Sequence, residues 1–197
     1  MGSFTTSLLG DFNLENWAAA LSLAYELKLP VKDLQGATKS FRGVKRRLEV
    51  RMAKTGISVI DDFAHSPAKA RESIRALKKH FPKSRIFVIF EPNRGGRSVK
   101  CLKKYKGVFD GIYKLYIPKL KVYKKKTRVK DLSGRELADN LRTYVRKLES
   151  NVFYFANRDK ILADILKQVK AGDVVAFLGH GNFDEMIKKI EHGLNRL

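Results

Sequence analysis

The chain has 197 residues, with 41 Lys and Arg against 20 Asp and Glu, a formal charge of +21, and 44% hydrophobic residues. That length and apolar content bury a core without staples and exclude a disordered polymer, while a single cysteine, Cys101, excludes an internal disulfide framework and a multi-cysteine metal site. No apolar run approaches the ~20 residues that span a bilayer, and Asp11 and Glu15 stand where a secretory signal would be apolar, so a cytoplasmic protein is expected.

In chain order, Trp17, Leu21, Leu23, Ala24 and Leu27 recur at helical spacing and a second helical stretch, 31–41, follows Pro30, which predicts a small helical appendage over residues 1–40. Short apolar runs at 48–52 and 57–60, separated by Lys54, Thr55 and Gly56, predict a hairpin. Pro67 then opens a helix with Ala70, Ile74, Leu77 and Phe81 on one face and Lys69, Arg71, Arg75, Lys78 and Lys79 around the rest. The wholly apolar run 86–90 reads as a strand buried on both faces, ending at Glu91, Pro92 and a turn with Gly95 and Gly96.

Next come a helix near 98–105, a strand at 111–117, and a helix carrying Leu137, Leu141, Val145 and Leu148. A strand at 152–155, a helix through Ile161, Leu162, Ile165, Leu166 and Val169, a strand at 174–178, and a helix displaying Phe183, Met186, Ile187, Ile190 and Leu194 complete the pattern. Repeated strand and helix alternation predicts an α/β fold: a Rossmann-like, mostly parallel sheet over residues 41–197, covered by helices on both faces.

In such a fold, polar residues beyond the carboxyl ends of strands are the first candidates for chemistry. Asp61, Asp62, His65 and Ser66 follow one strand; two adjacent acids there bind a cation, accept hydrogen bonds or face a wet cleft, and Ser66 suits a helix cap. Glu91, Asn93, Arg94 and Arg97 surround a glycine turn fit for an oxyanion. A third loop, residues 179–182, contains His180 and Asn182 and reads equally as a tight turn. No GxGxxG or GxxxxGK[ST] loop occurs. Arg46, Arg47 and Glu49 face polyphosphate or form ion pairs at a sheet edge. Seven basic residues and no acidic one between Lys119 and Lys130 make a solvated edge or a phosphate path.

Five segments in order, GDFNLEN (10–16), FRGVKRRLEVR (41–51), VIDDFAHSPAKARESIRALK (59–78), FEPNRGGRS (90–98) and GDVVAFLGHGNF (172–183), resemble the Mur ligases. These enzymes use ATP to join an amino acid or peptide to a UDP-N-acetylmuramoyl precursor. The branch that attaches a recycled murein tripeptide to UDP-N-acetylmuramate looks nearest. The resemblance implies peptidoglycan chemistry and ATP with Mg2+ in a complete ligase, whose phosphate loop, metal ligands and UDP-substrate domain would lie outside this chain. It makes residues 1–40 the tail of a central ATP-binding domain and 41–197 the C-terminal domain.

By the same resemblance Asn13 and Asn16 lie near adenine, Arg47 near ATP phosphates, and Asp62 at the ribose. His65, Ser66, Arg94 and Arg97 lie near the acceptor or reaction centre, and His180 and Asn182 in an amino-substrate loop. Arg47, Asp62 and His65 are the residues implied in catalysis, by positioning rather than covalent chemistry; no metal ligand is assigned. The implied partners are the central and N-terminal domains, the UDP-N-acetylmuramoyl precursor and the peptide or amino acid; nucleic acid is not expected. Phe12 and Ser66 stand where the family carries histidines, and Asn93, Arg94, Gly95 and Gly96 replace an arginine-serine-asparagine pattern. A noncatalytic module of the same fold, or a basic nucleic-acid-binding protein, are the alternatives.

Overall fold

The structure is a computed structural model that describes residues 2–52, 56–121, 131–144 and 151–195. It contains α1 (Asp11–Glu26), α2 (Val31–Ser40), β1 (Glu49–Met52), β2 (Ser58–Asp62), α3 (Pro67–His80), β3 (Ile86–Glu91), β4 (Lys114–Pro118), α4 (Gly134–Tyr144), β5 (Val152–Phe155), α5 (Arg158–Leu166), β6 (Val174–Gly179) and α6 (Asp184–Leu194). The sheet order is β1-β2-β6-β3-β4-β5, with β1 antiparallel to β2 and every other pair parallel.

Strand alternation sorts the core into two layers. Ile60, Val88, Phe90, Leu115 and Ala176 pack beneath α3 and α4, while Val59, Phe87, Ile89, Val175 and Phe177 pack beneath α5 and α6. The last strand in sequence, β6, enters between β2 and β3. The carboxyl ends of those three strands therefore form a switch point, where loops diverge to opposite faces and leave a crevice.

Three expectations change. The stretch 98–105 is not an α-helix but follows a 3-10 turn, Gly95–Arg97, as a second 3-10 segment, Val99–Tyr105. Its buried residues, Leu102 and Tyr105, are three apart, the spacing that a three-residue turn places on one line. The strand expected from 111 begins at Lys114, because Gly111 lies in the left-handed region (φ 78°) within a turn. In α1 the spaced apolar residues do not form a covered stripe: Leu23 and Leu27 are 64% and 66% exposed, and Asn13 is the buried residue. Val145, Leu148 and most of the basic run, 122–130, lie outside the described residues.

Phe177 is fully buried on β6 against Phe183 (5.5 Å between ring centroids). Phe177→Ala is expected to cost about 3–5 kcal/mol in chemical denaturation.

Candidate functional site

The two acids at the end of β2 point to opposite sides of the sheet. Asp62 turns toward α3, where Ser73 Oγ donates to its Oδ2 at 2.5 Å. Its side chain also accepts from the backbone of Leu48 and Phe63, and burial pushes its carboxyl above the usual range, against those hydrogen bonds. Asp61 turns toward Arg46, whose Nε lies 3.6 Å from Oδ1. That distance gives attraction without a hydrogen bond. Burial pushes the Asp61 carboxyl up to about 6, opposed by Arg46 and assisted by Glu49 and Asp184.

Beside Asp62 opens a cavity of about 380 Å³, lined among others by Phe12, Asn16, Arg47, Lys69 and Ser73. A neighbouring cavity of about 350 Å³ shares Asn16 and Arg47 and reaches Trp17 and Phe41, whose rings meet edge-on at 5.5 Å. The two make one cleft between α1, the neck before β1 and the start of α3. Within it Arg47 is an exposed cation, Asn16 an exposed amide, and Lys69 stands in the first turn of α3. Positive side chains beside a helix N-terminus suit an anion, and the apolar walls suit a flat ring.

A second group lies around the ends of β3 and β6. His65 turns its Nδ1 to Phe63 O (2.7 Å) and meets the Phe63 ring edge-on at 4.7 Å, while the exposed His180 lies 6.4 Å from the same ring. His180 N–H donates to Glu91 O (3.1 Å). Arg158 donates to Glu91 Oε2 (2.6 Å) and to Asn182 O (3.2 Å), fastening the 179–182 loop to β3 and α5. The approach is close: a side chain on Gly181 would place its Cβ 2.6 Å from the Glu91 carboxylate.

The structure thus brings Asn16, Arg47 and Asp62 into one cleft, and His65 and His180 both near the Phe63 ring. Asn13 lines the neighbouring cavity but is mostly buried, with its amide spent on Leu9 O (2.7 Å). Ser66 is the N-cap of α3 and accepts from Lys69 N–H. Arg97 is 3% exposed; it donates to Lys121 O (2.5 Å) and Leu132 O, and lies 3.9 Å from Asp131, so it braces loops. Arg94 is more open, with Nε 2.7 Å from Asp131. Asn182 remains exposed, its Oδ1 accepting from Asp184 N–H (2.8 Å).

Sequence reasoning passed over Lys69 and Ser73, four residues apart on α3. The period placed Lys69 on the outer face, and only their position one turn beyond the Asp62 strand could have signalled their role. The Glu91–Arg158 pair was also missed; its partners are 67 residues apart.

Among the described residues no group of three His, Cys, Asp or Glu is placed to hold a metal ion, and no helix is long and apolar enough to cross a membrane.

Asp61 sets a pH dependence. With its carboxyl raised to about 6 from an ordinary 3.8, the folded chain holds more protons than the unfolded one between those values. This contribution to stability therefore falls as pH rises from about 4 to 6 and stays low above it. Asp61→Asn is expected to flatten that part of the profile and raise the melting temperature at pH 7.5 relative to wild type, as checked by thermal melts across pH.

Comparison with known proteins identifies the family. Residues 46–181 match the Mur ligase, glutamate ligase domain family. A UDP-N-acetylmuramate–L-alanine ligase from Caldanaerobacter subterraneus subsp. tengcongensis is 30% identical over 190 residues, 96% of this chain and 40% of that protein. The crystal structure of the UDP-N-acetylmuramate–alanine ligase MurC from Thermotoga maritima shares the fold with a TM-score of 0.76 at 22% identity, over 98% of this chain and 40% of that one. The MurF ligase from Thermotoga maritima, solved in complex with ADP, gives a TM-score of 0.66 at 22% identity, over 95% of this chain and 39% of that one.

These matches correct the expected tilt toward the tripeptide-joining branch, since the curated relative and the structure with the higher TM-score are both alanine ligases. The chain spans about 40% of the length of the curated relative it matches. With its order of motifs, its switch-point cleft and a family match over residues 46–181, the chain belongs to the Mur ligase family and carries that family's C-terminal domain.

Proposed function

We propose that this chain supplies the C-terminal part of an ATP-dependent ligase that forms an amide on a UDP-N-acetylmuramoyl carboxylate, with a nucleotide in the cleft beside Asp62 and the amine delivered past His65 and His180. The observation that carries this reading is the convergence of Asn16, Arg47, Asp62 and Lys69 on one cavity. A buried carboxylate beside an open cavity suits ribose hydroxyls as donors. Arg47 and Lys69 supply positive charge for phosphate oxygens, and Asn16 presents an amide to the base.

ATP, when bound, supplies the phosphoryl group that activates the carboxylate for attack by an amine. The chain's own residues orient and neutralise: their gain is electrostatic, from cations facing crowded oxygens in the cleft. Asp62 already accepts from Ser73, and no described residues gather around a metal ion.

Residues 1–40 serve as the tail of the central ATP-binding domain and residues 41–197 as the C-terminal domain. The exposed apolar residues Leu14, Leu23, Tyr25, Leu27 and Leu29 suit packing against the rest of that central domain. The matched relatives favour a single amino acid over a tripeptide as acceptor. His180, Asn182 and Arg94 are the acceptor-facing residues; Ser66 and Arg97 support the loops. Nucleotide-linked substrates place the work in the cytoplasm.

A noncatalytic binding module is the second reading, favoured by Phe12 and Ser66 at positions where the resemblance calls for histidine. The test joins this chain to the preceding part of the Caldanaerobacter ligase and measures amide formation coupled to ADP release. The ligase reading expects turnover that falls about 10²-fold in Asp62→Ala and Arg47→Ala, and no ATP hydrolysis by the chain alone. A folded chimera that binds nucleotide and forms no amide supports the module instead.

A further inference from the structure

The neck between α2 and β1 holds two non-glycine residues in the left-handed region, Arg46 (φ 59°) and Leu48 (φ 49°). Such backbone persists where its surroundings over-determine it. Arg46 is held through its backbone N–H, its carbonyl and its Nη2. Its N–H donates to Glu49 Oε2 (3.1 Å), and its carbonyl accepts from Phe63 N–H (2.8 Å). Its Nη2 donates to the carbonyls of both Gly179 (2.8 Å) and Gly181 (2.6 Å). The guanidinium also covers the Phe63 ring, 5.0 Å from its centroid, and Nε faces Asp61 without a hydrogen bond.

One residue of the neck therefore joins it to two segments remote in sequence, the 63–65 loop and the 179–181 loop. The Phe63 ring beneath it is the ring flanked by His65 and His180. The next residue, Arg47, turns the other way and lines the cleft. A planar guanidinium donates to two carbonyls while lying against a ring with its fork held flat, a geometry that the point charge of an ammonium does not reproduce.

We propose that Arg46 is a positioning residue that latches the 179–182 loop to the neck carrying Arg47, so that filling the cleft and ordering the His180 loop are coupled. The inference rests on the reading above for the identity of the ligands, and on the bonds of Arg46 for the latch. Arg46 does not itself line the cleft; it acts on the cleft through its neighbour Arg47 and the Phe63 ring beneath it, both of which line it, and on the His180 loop through the Gly179 and Gly181 carbonyls. The loop keeps a second anchor in Glu91 and Arg158, so removing Arg46 loosens it without releasing the sheet.

The experiment is amide hydrogen exchange on the chain, followed by titration with ADP while the His180 ring is observed by NMR. In Arg46→Ala, protection of the His180 and Asp184 amides is expected to fall about tenfold, with Val88 and Val175 on the central strands within about twofold of wild type. ADP is expected to shift the His180 ring signals in wild type, and to bind Arg46→Ala without shifting them.

Unchanged loop protection, or an undiminished His180 response in Arg46→Ala, overturns the latch. If the alanine variant loses protection throughout, Arg46→Lys decides: loss confined to the loop supports the latch, and loss of core and loop together makes Arg46 a stability residue only. If wild type fails to bind ADP, the nucleotide reading fails while the exchange comparison still decides the latch.

Discussion

The placement of β6 between β2 and β3 is the constraint from which the rest of the molecule follows. Parallel pairing on both sides of one strand aligns three carboxyl ends: Asp62 opposite Leu178 on one side, and Glu91 opposite Gly179 on the other. Apart from Asn13 and Asn16 on α1, every residue considered for chemistry hangs from those ends, from the elements they open, or from the neck that crosses them. A shift of one residue in the register of β2 against β6 would reverse which acid meets Ser73 and which meets Arg46, because neighbouring side chains on a strand face opposite ways.

Two adjacent acids in a nearly dry position are costly, and the fold offsets the cost differently for each. Asp62 gains hydrogen bonds from Ser73 and the backbone, and faces an open cavity. Asp61 gains the charge of Arg46 without a hydrogen bond to it, and stays raised by burial. The first arrangement leaves a carboxyl poised for hydroxyl donors. The second ties charge to architecture, since Arg46 also holds the carbonyls of the neighbouring loop. Adjacent residues thus divide between site and scaffold.

Much of the fold was legible because burial wrote itself into short apolar runs. Ile86, Phe87, Val88, Ile89 and Phe90 are all fully buried, which is the signature of a central parallel strand. The 3-10 stretch was misread because buried residues three apart also lie within helical spacing, and α1 because apolar spacing does not say whether the covering partner belongs to the same chain. In the cleft, Arg47 and Asp62 were named by resemblance, with Asp62 already suspect as an acid after an apolar strand. Ser66 was legible as a cap from Pro67. The bonds of Arg46 to Gly179 and Gly181 were not legible, since they join residues 133 and 135 apart in sequence and no local pattern encodes them.

The account depends on a nucleotide occupying the cleft between α1, the neck and α3. Its most direct test is the footprint of millimolar ADP on the isotope-labelled chain. Chemical-shift changes are expected at Phe12, Asn16, Arg47, Asp62 and Lys69, and loss of that footprint in Asp62→Ala. Changes confined to the exposed lysines of α3, or none in the cleft at saturating ADP, would contradict it.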